Sequence, residues 1–178
     1  TRQAPPSAPA GSWLLLAGSG TTETAIANAL TRRGDRVVIV RRGREFAKIS
    51  EDEFSVRAES PDDFARILED GAWAGAIHLW SLDASPADDW EEAASAAGYS
   101  LAPLARVLGN RQMSSRLFVV TRGAQAVASG DSPDALAGTA WGFARVLMNE
   151  APRLRTRLID LDASRDAAAQ AEDLMREL

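Results

Sequence analysis

The chain has 178 residues, 46% of them hydrophobic and 25% charged, which is enough for one domain with a real core and too few for two. No cysteine is present, which excludes disulfide and thiolate chemistry and fits a reducing, cytoplasmic setting. The formal charge of −5 argues against nucleic acid or an anionic membrane as partner, and no apolar run approaches the ~20 residues needed to span a bilayer.

Residues 1–12, TRQAPPSAPAGS, hold three prolines and almost no bulky apolar side chain, so they read as a semi-extended linker following another domain. Folded structure is expected from Trp13 onward, as one domain over 13–178. WLLLA (Trp13–Ala17) is a short continuous apolar run, the pattern of a strand buried on both faces. Gly18-Ser19-Gly20 breaks it. A helix then places Ala25, Ile26, Ala29 and Leu30 on one face and ends at Gly34-Asp35. RVVIV (Arg36–Val40) predicts a second strand and EFSVRA (Glu53–Ala58) a third.

Ser60-Pro61-Asp62-Asp63 combines a capping hydroxyl, a proline at the first helical position and two acids at the positive end of the helix dipole. Phe64, Ile67 and Leu68 form the inner face of that helix. AIHLW (Ala76–Trp80) predicts strand four. Ser85-Pro86 opens a long helical region interrupted near Gly98 and ending near Asn110. RLFVVT (Arg116–Thr121) predicts strand five, and Ser132-Pro133-Asp134 opens a helix facing the sheet through Leu136, Ala140, Phe143 and Leu147. RLIDL (Arg157–Leu161) predicts strand six, and Ser164 is expected to cap a last helix. Continuous apolar strands alternating with helices imply an α/β, truncated Rossmann-like fold: a mainly parallel sheet with helices on both faces.

Gly18-Ser19-Gly20 lies where such folds place a phosphate turn, after strand one and at a helix N-terminus that attracts anions. The full pattern G-x-G-x-x-G requires a third glycine where this chain has Glu23, whose carboxylate would repel a pyrophosphate. A tight turn that binds nothing is therefore favoured over a nucleotide site. Arg41 and Arg42 follow strand two, where a 2′-phosphate is sometimes held, but with Arg44 they also read as a solvated basic loop. Gly18, Ser19, Gly20, Arg41 and Arg42 are thus weak cofactor candidates.

The rare residues restrict catalysis. His78, Tyr99 and Lys48 are each the single residue of their type. A reductase dyad needs tyrosine with lysine four residues on, or an equivalent group to lower its pKa; Tyr99 is followed there by Pro103, and Lys48 lies in a polar loop with no tyrosine nearby. Tyr99 is read as part of a helix break, and His78 as a core or subunit-contact residue. With no cysteine and no second histidine, a zinc site would rest on carboxylates alone, so no metal is expected. Asp88, Asp89, Glu91 and Glu92 suit a solvated first helical turn, and Asp160 and Asp162 end strand six without a ligand cluster. Trp80, Trp90 and Trp141 are expected in the core or an interface. Gly138 and Gly142, four apart, allow close approach, with packing on the sheet favoured over a partner.

AIHLWSLDA, RLFVVTRGAQAV and ALAGTAWGFARVLMNEAPRLRTRLIDLD, in this order and spacing, resemble the structural subdomain of ketoreductases in modular type I polyketide synthases. The VTRGA and WGFARVL…E…P…LIDL strings are specific, and the resemblance runs from about Trp13 to the C-terminus. It implies a non-catalytic half that props up a second half. That partner would carry NADPH and the tyrosine, serine and lysine that reduce the β-keto group of a carrier-protein-bound chain. The wider context it implies is a multifunctional, phosphopantetheine-dependent transferase of antibiotic biosynthesis, dimeric through the parent chain. Where a catalytic half carries its tyrosine helix, this chain has Trp141-Gly142-Phe143-Ala144-Arg145, and Thr121 stands near the place of the serine. No catalytic residue carries over. The same resemblance covers pseudo-ketoreductase segments. Alternatives are a small NADP-binding protein using Gly18–Gly20 with Arg41-Arg42, or an interaction module presenting His78, Trp80 and the Gly138/Gly142 face.

Overall fold

In this computed structural model, which describes residues 11–69, 71–83, 90–110, 116–127 and 132–178, the expected apolar runs become strands. They are β1 (Ser12–Leu16), β2 (Arg36–Arg42), β4 (Glu53–Val56), β5 (Trp73–His78), β6 (Arg116–Arg122) and β7 (Arg157–Leu161), all paired in parallel. A two-residue strand, β3 (Ala47–Lys48), adds antiparallel to β4 and was not anticipated, since two residues carry no periodicity. The sheet order is β3-β4-β2-β1-β5-β6-β7.

Strand alternation divides the core into two layers. Leu14, Leu16, Val38, Val40, Ala76, Leu117 and Val119 point to one face, where Phe64, Leu68, Leu104 and Ala140 cover them. Trp13, Leu15, Ile77, Phe118 and Val120 point to the other, beneath Ile26, Leu30, Ala171 and Leu174. The covering helices are α2 (Pro61–Leu68), α4 (Leu101–Asn110) and α5 (Ala135–Glu150) on the first face. On the second lie α1 (Thr21–Arg33) and α6 (Ala167–Glu177). Burial on both faces is why the strands are apolar throughout rather than alternating.

Most boundary signals act as expected. Gly34 ends α1 at φ 96°, a conformation that favours glycine. Ser60 caps α2 by accepting from the Asp63 N–H. The break near Gly98 is a single π-turn, Ser95–Tyr99, between α3 (Trp90–Ala94) and α4. A Cβ on Gly98 would lie 3.3 Å from the Thr139 backbone, so glycine lets this turn pack on α5.

Several expectations are corrected. Strand structure begins at Ser12, one residue inside the expected linker, because Ser12 pairs with Arg36 and Trp73. Strand four spans Trp73–His78, and Trp80 falls in a 3-10 turn, Trp80–Leu82. The Ser132-Pro133-Asp134 signal does open α5, with Asp134 as its cap accepting from Leu136 N–H at 2.8 Å. Asp166 rather than Ser164 caps α6, accepting from Ala169 N–H at 2.8 Å, while the Ser164 hydroxyl donates to Asp162. In both cases a carboxylate takes the terminal N–H groups, and a charged acceptor bonds them more strongly than a hydroxyl. Gly138 and Gly142 do not pack on the sheet: a Cβ on either would meet nothing within 4 Å. The inner face of α5 is already filled by Leu136, Ala140 and Ala144, which turns the glycines outward. Ser85-Pro86, Asp88 and Asp89 lie outside the described residues.

Candidate functional site

The strand order reverses at β1: α1 carries the chain to β2 on one side, whereas β5 lies on the other. In a parallel sheet this switch point, at the carboxyl ends of the strands, is where ligands of the fold sit. The Ala17–Gly20 turn lies there, directly before α1.

Two carboxylates fill it. A Cβ on Gly18 would fall 1.6 Å from Asp83 Oδ2, and one on Gly20 would fall 2.3 Å from Glu23 Oε2. Glu23 is 3% exposed, and its Oε1 is buried with no hydrogen-bond donor among the described residues. Burial first, then the hydrogen bond to Asp83, pushes the Glu23 carboxyl up to about 7. Asp83 is held over Gly18 by the turn that follows β5. There the Trp80 indole N–H donates to Val40 O at 3.2 Å, and the Ser81 hydroxyl donates to Val120 O at 2.5 Å. A dinucleotide pyrophosphate, which the fold would place here, needs donors and positive potential; two acid side chains in its cradle do not fit it.

Arg41 is committed to the protein. Its Nε donates to Glu53 at 2.8 Å, and its Nη1 donates to the carbonyls of Ala17 and Gly18. The arginine thereby ties the phosphate-type turn to β4 instead of facing a ligand. Arg42 and Arg44 are exposed. On the other side of the turn, Arg122 Nη2 donates to Thr22 Oγ1 at 2.8 Å and to Gln170 Oε1 at 3.3 Å, while Gln170 Nε2 donates to Asp162 O at 2.7 Å. This lattice joins α1, β6 and α6 around a buried polar centre.

A second polar chain stands where the resemblance would place serine and tyrosine. The Trp141 indole N–H donates to Thr121 Oγ1 at 2.7 Å, and the fully buried Thr121 hydroxyl donates to Asp160 Oδ1 at 2.8 Å. Asp160 also accepts from the backbone N–H groups of Ala124 at 2.9 Å and Gln125 at 3.0 Å. Its oxygens are therefore spent fixing the loop after β6.

The other candidates are dispersed. His78 is fully buried in β5, with Nε2 2.8 Å from Ser100 Oγ and its ring edge-on to Trp80. Desolvation, with a smaller contribution from the Arg42 charge, lowers it to about 3, so it is a neutral core imidazole at physiological pH. His78 and Trp80 are thus removed from any surface contact. Tyr99 is 61% exposed in the π-turn, whereas Lys48 sits on β3 at the sheet edge beside the Phe54 ring. The two are not brought together. Trp90 is 62% exposed, contrary to a core position. Asp162, lowered by the Ser164 hydroxyl and N–H, shapes a local turn. Among the described residues no group of three or more His, Cys, Asp or Glu could hold a metal ion, and no helix is long and apolar enough to cross a membrane.

Residues 24–177 match the family described as the Rossmann fold domain of the polyketide synthase extender module SpnB. The chain belongs to that family. Among solved structures, this Rossmann domain is similar to a keto acid-selecting nonribosomal peptide synthetase module containing adenylation, ketoreductase and pseudo-Asub parts. The TM-score is 0.80 at 16% identity, over 97% of this chain and 16% of that one. It also resembles a C2-type ketoreductase from a modular polyketide synthase (TM-score 0.67, 23% identity, 93% of this chain, 35% of that one). A short-chain dehydrogenase/reductase family protein from Brucella ovis gives 0.64 at 15% identity, with coverage of 94% and 91%. These identities establish the shared α/β fold. The domain spans 35% of the C2-type ketoreductase chain.

Asp83, Arg122 and Gln170 escaped the sequence reading. Asp83 follows a strand as many surface acids do, and only the pairing of β1 with β5 carries it over Gly18.

Proposed function

We propose that this domain is the non-catalytic supporting half of a polyketide synthase ketoreductase region. Its neighbour would be an NADPH-dependent half that reduces the β-keto group of a carrier-protein-bound polyketide. The observation that carries this reading is the pair of carboxylates in the Gly18–Gly20 turn, where a cofactor-binding half needs open backbone donors. The Trp141–Thr121–Asp160 chain supports it: an indole donates where a reductase would present an acidic phenol, and indole has no proton to give at physiological pH. The likeness to parts of multidomain synthase structures supports adjacent domains as partners.

Such a half must offer a docking face. The outer side of α5 provides one, with open space over Gly138 and Gly142, and with Val146 and Met148 about half exposed nearby. Glycines without a Cβ contact let another backbone approach closely, which supports contact with the catalytic half or with a second copy. Calorimetric titration with NADPH tests the proposal: no heat of binding is expected, and saturable binding in the micromolar range would overturn it. Light scattering of the isolated chain separates the occupants of the α5 face, since a concentration-dependent dimer would identify the second copy.

A further inference from the structure

We propose that Glu23 and Asp83 form a carboxylic acid–carboxylate pair sharing one proton across the Gly18–Gly20 turn, which takes the place of a dinucleotide pyrophosphate from within and latches α1 to the turn after β5. Asp83 presses on Gly18 and Glu23 on Gly20, two residues apart in one turn, and the two carboxyl groups can hydrogen-bond to each other only if one of them carries a proton. Glu23 is the protonated partner. Its buried Oε1 has neither water access nor a donor among the described residues, a setting that strongly disfavours an ionised oxygen.

The surrounding charges do not replace that proton. Asp83 faces Glu23 from the turn after β5, Arg122 from β6, and Arg41 lies under the turn from β2. α6 contributes neutral Gln170. Arg122 gives its Nη2 hydrogens to Thr22 and Gln170, and Arg41 gives its own to Glu53 and two carbonyls. Arg122 therefore lowers the proton affinity of Glu23 only through its field, and burial together with Asp83 outweighs it.

This pair makes the latch pH-dependent. The folded Glu23 keeps its proton to about 7, against 4.5 for the free side chain. Folding therefore takes up a proton between those values, and stability falls as the pH rises through that window. Above it Glu23 loses the proton that lets it bond to Asp83, and the latch loosens.

The role given to the pair, filling the turn in place of a nucleotide, rests on the supporting-half reading, whereas the shared proton itself is tested without nucleotide. Unfolding of the wild-type chain, E23Q and D83N is compared from about pH 4 to pH 8, with the Glu23 carboxyl followed by carbon NMR. The expected result is that E23Q matches wild type at the acid end and exceeds it in folding equilibrium constant by roughly tenfold or more at pH 8. The Glu23 resonance should titrate near neutrality and move toward the ordinary carboxylate range in D83N. A Glu23 titration near 4.5, or an E23Q chain that is destabilised equally at all pH values or does not fold, would overturn the pair, because glutamine reproduces a neutral acid. NADPH binding to wild type with Glu23 still titrating near neutrality would overturn the supporting-half reading and leave the pair standing.

Discussion

The carboxyl end of the sheet and the outer face of α5 are built to opposite ends. Around Gly18–Gly20 the protein gathers Asp83, Glu23, Arg41 and Arg122 and buries Glu23, although burying an acid is costly. Over Gly138 and Gly142 it places no described atom within 4 Å of an added Cβ. Acid side chains stand against Gly18 and Gly20 in the crevice at the switch point, whereas the α5 glycines have no described side chain against them. The contrast teaches that glycine alone does not mark a ligand site: the same absent Cβ admits a carboxylate at Gly18 and leaves free space at Gly142.

That contrast can be broken or sharpened by substitution. The largest effect is expected for Trp80→Ala, which removes a 1% exposed indole and with it the anchor of the turn bearing Asp83. A loss of about 3–5 kcal/mol should appear in denaturant unfolding. A loss below ~1 kcal/mol would mean that the turn does not depend on the core. Asp160→Ala comes next. It strips acceptors from Thr121, Ala124 and Gln125 and should cost roughly 2–3 kcal/mol, with increased amide exchange in the loop after β6 as the local signature.

The pH response distinguishes the buried groups by sign. His78, depressed from 6.5 to about 3, stays neutral in the fold while the unfolded chain takes up a proton. Its contribution is present above 6.5 and is lost as pH falls toward 3, the reverse of the trend set by Glu23. H78N should flatten only the acid limb, and E23Q only the limb above 4.5, in melting temperature against pH. If either variant flattened both limbs, the groups would be coupled across β5 rather than independent. The smallest effects belong to α5. Gly138→Ala and Gly142→Ala should each stabilise the isolated chain by about 0.5–1 kcal/mol through helix propensity, because the added methyl meets open space. Leucine at either position should leave the fold intact yet weaken association with the proposed catalytic half, measured by sedimentation. Undiminished association would show that α5 is not the docking face.

Much of the architecture was legible in local sequence. Trp13–Ala17, Arg36–Val40, Arg116–Thr121 and Arg157–Leu161 read as buried parallel strands because both their faces are apolar, and each is a strand. Ser60-Pro61-Asp62-Asp63 and Gly34 announced helix ends through capping and left-handed geometry. The cap of α6 lies two residues beyond the expected Ser164, since Ser164 and Asp166 offer competing acceptors and only the course of the chain chooses. Glu23 was recognisable as the residue that breaks the glycine pattern. Its partner was not, because Asp83 lies 60 residues away in a turn whose position depends on β5 pairing with β1.

The sequence by itself therefore determined the strand and helix order, the two-faced burial of the sheet, and the impossibility of a tyrosine–lysine dyad. These follow from periodicity, capping and residue inventory, all of which act over a few positions. Only the tertiary structure decided that Asp83 closes on Gly18, that Arg41 turns to the backbone, that Trp141 donates to Thr121, and that the α5 glycines face outward. Each of those contacts joins residues from separate elements, and their chemistry is set by distance and burial, which no local pattern encodes.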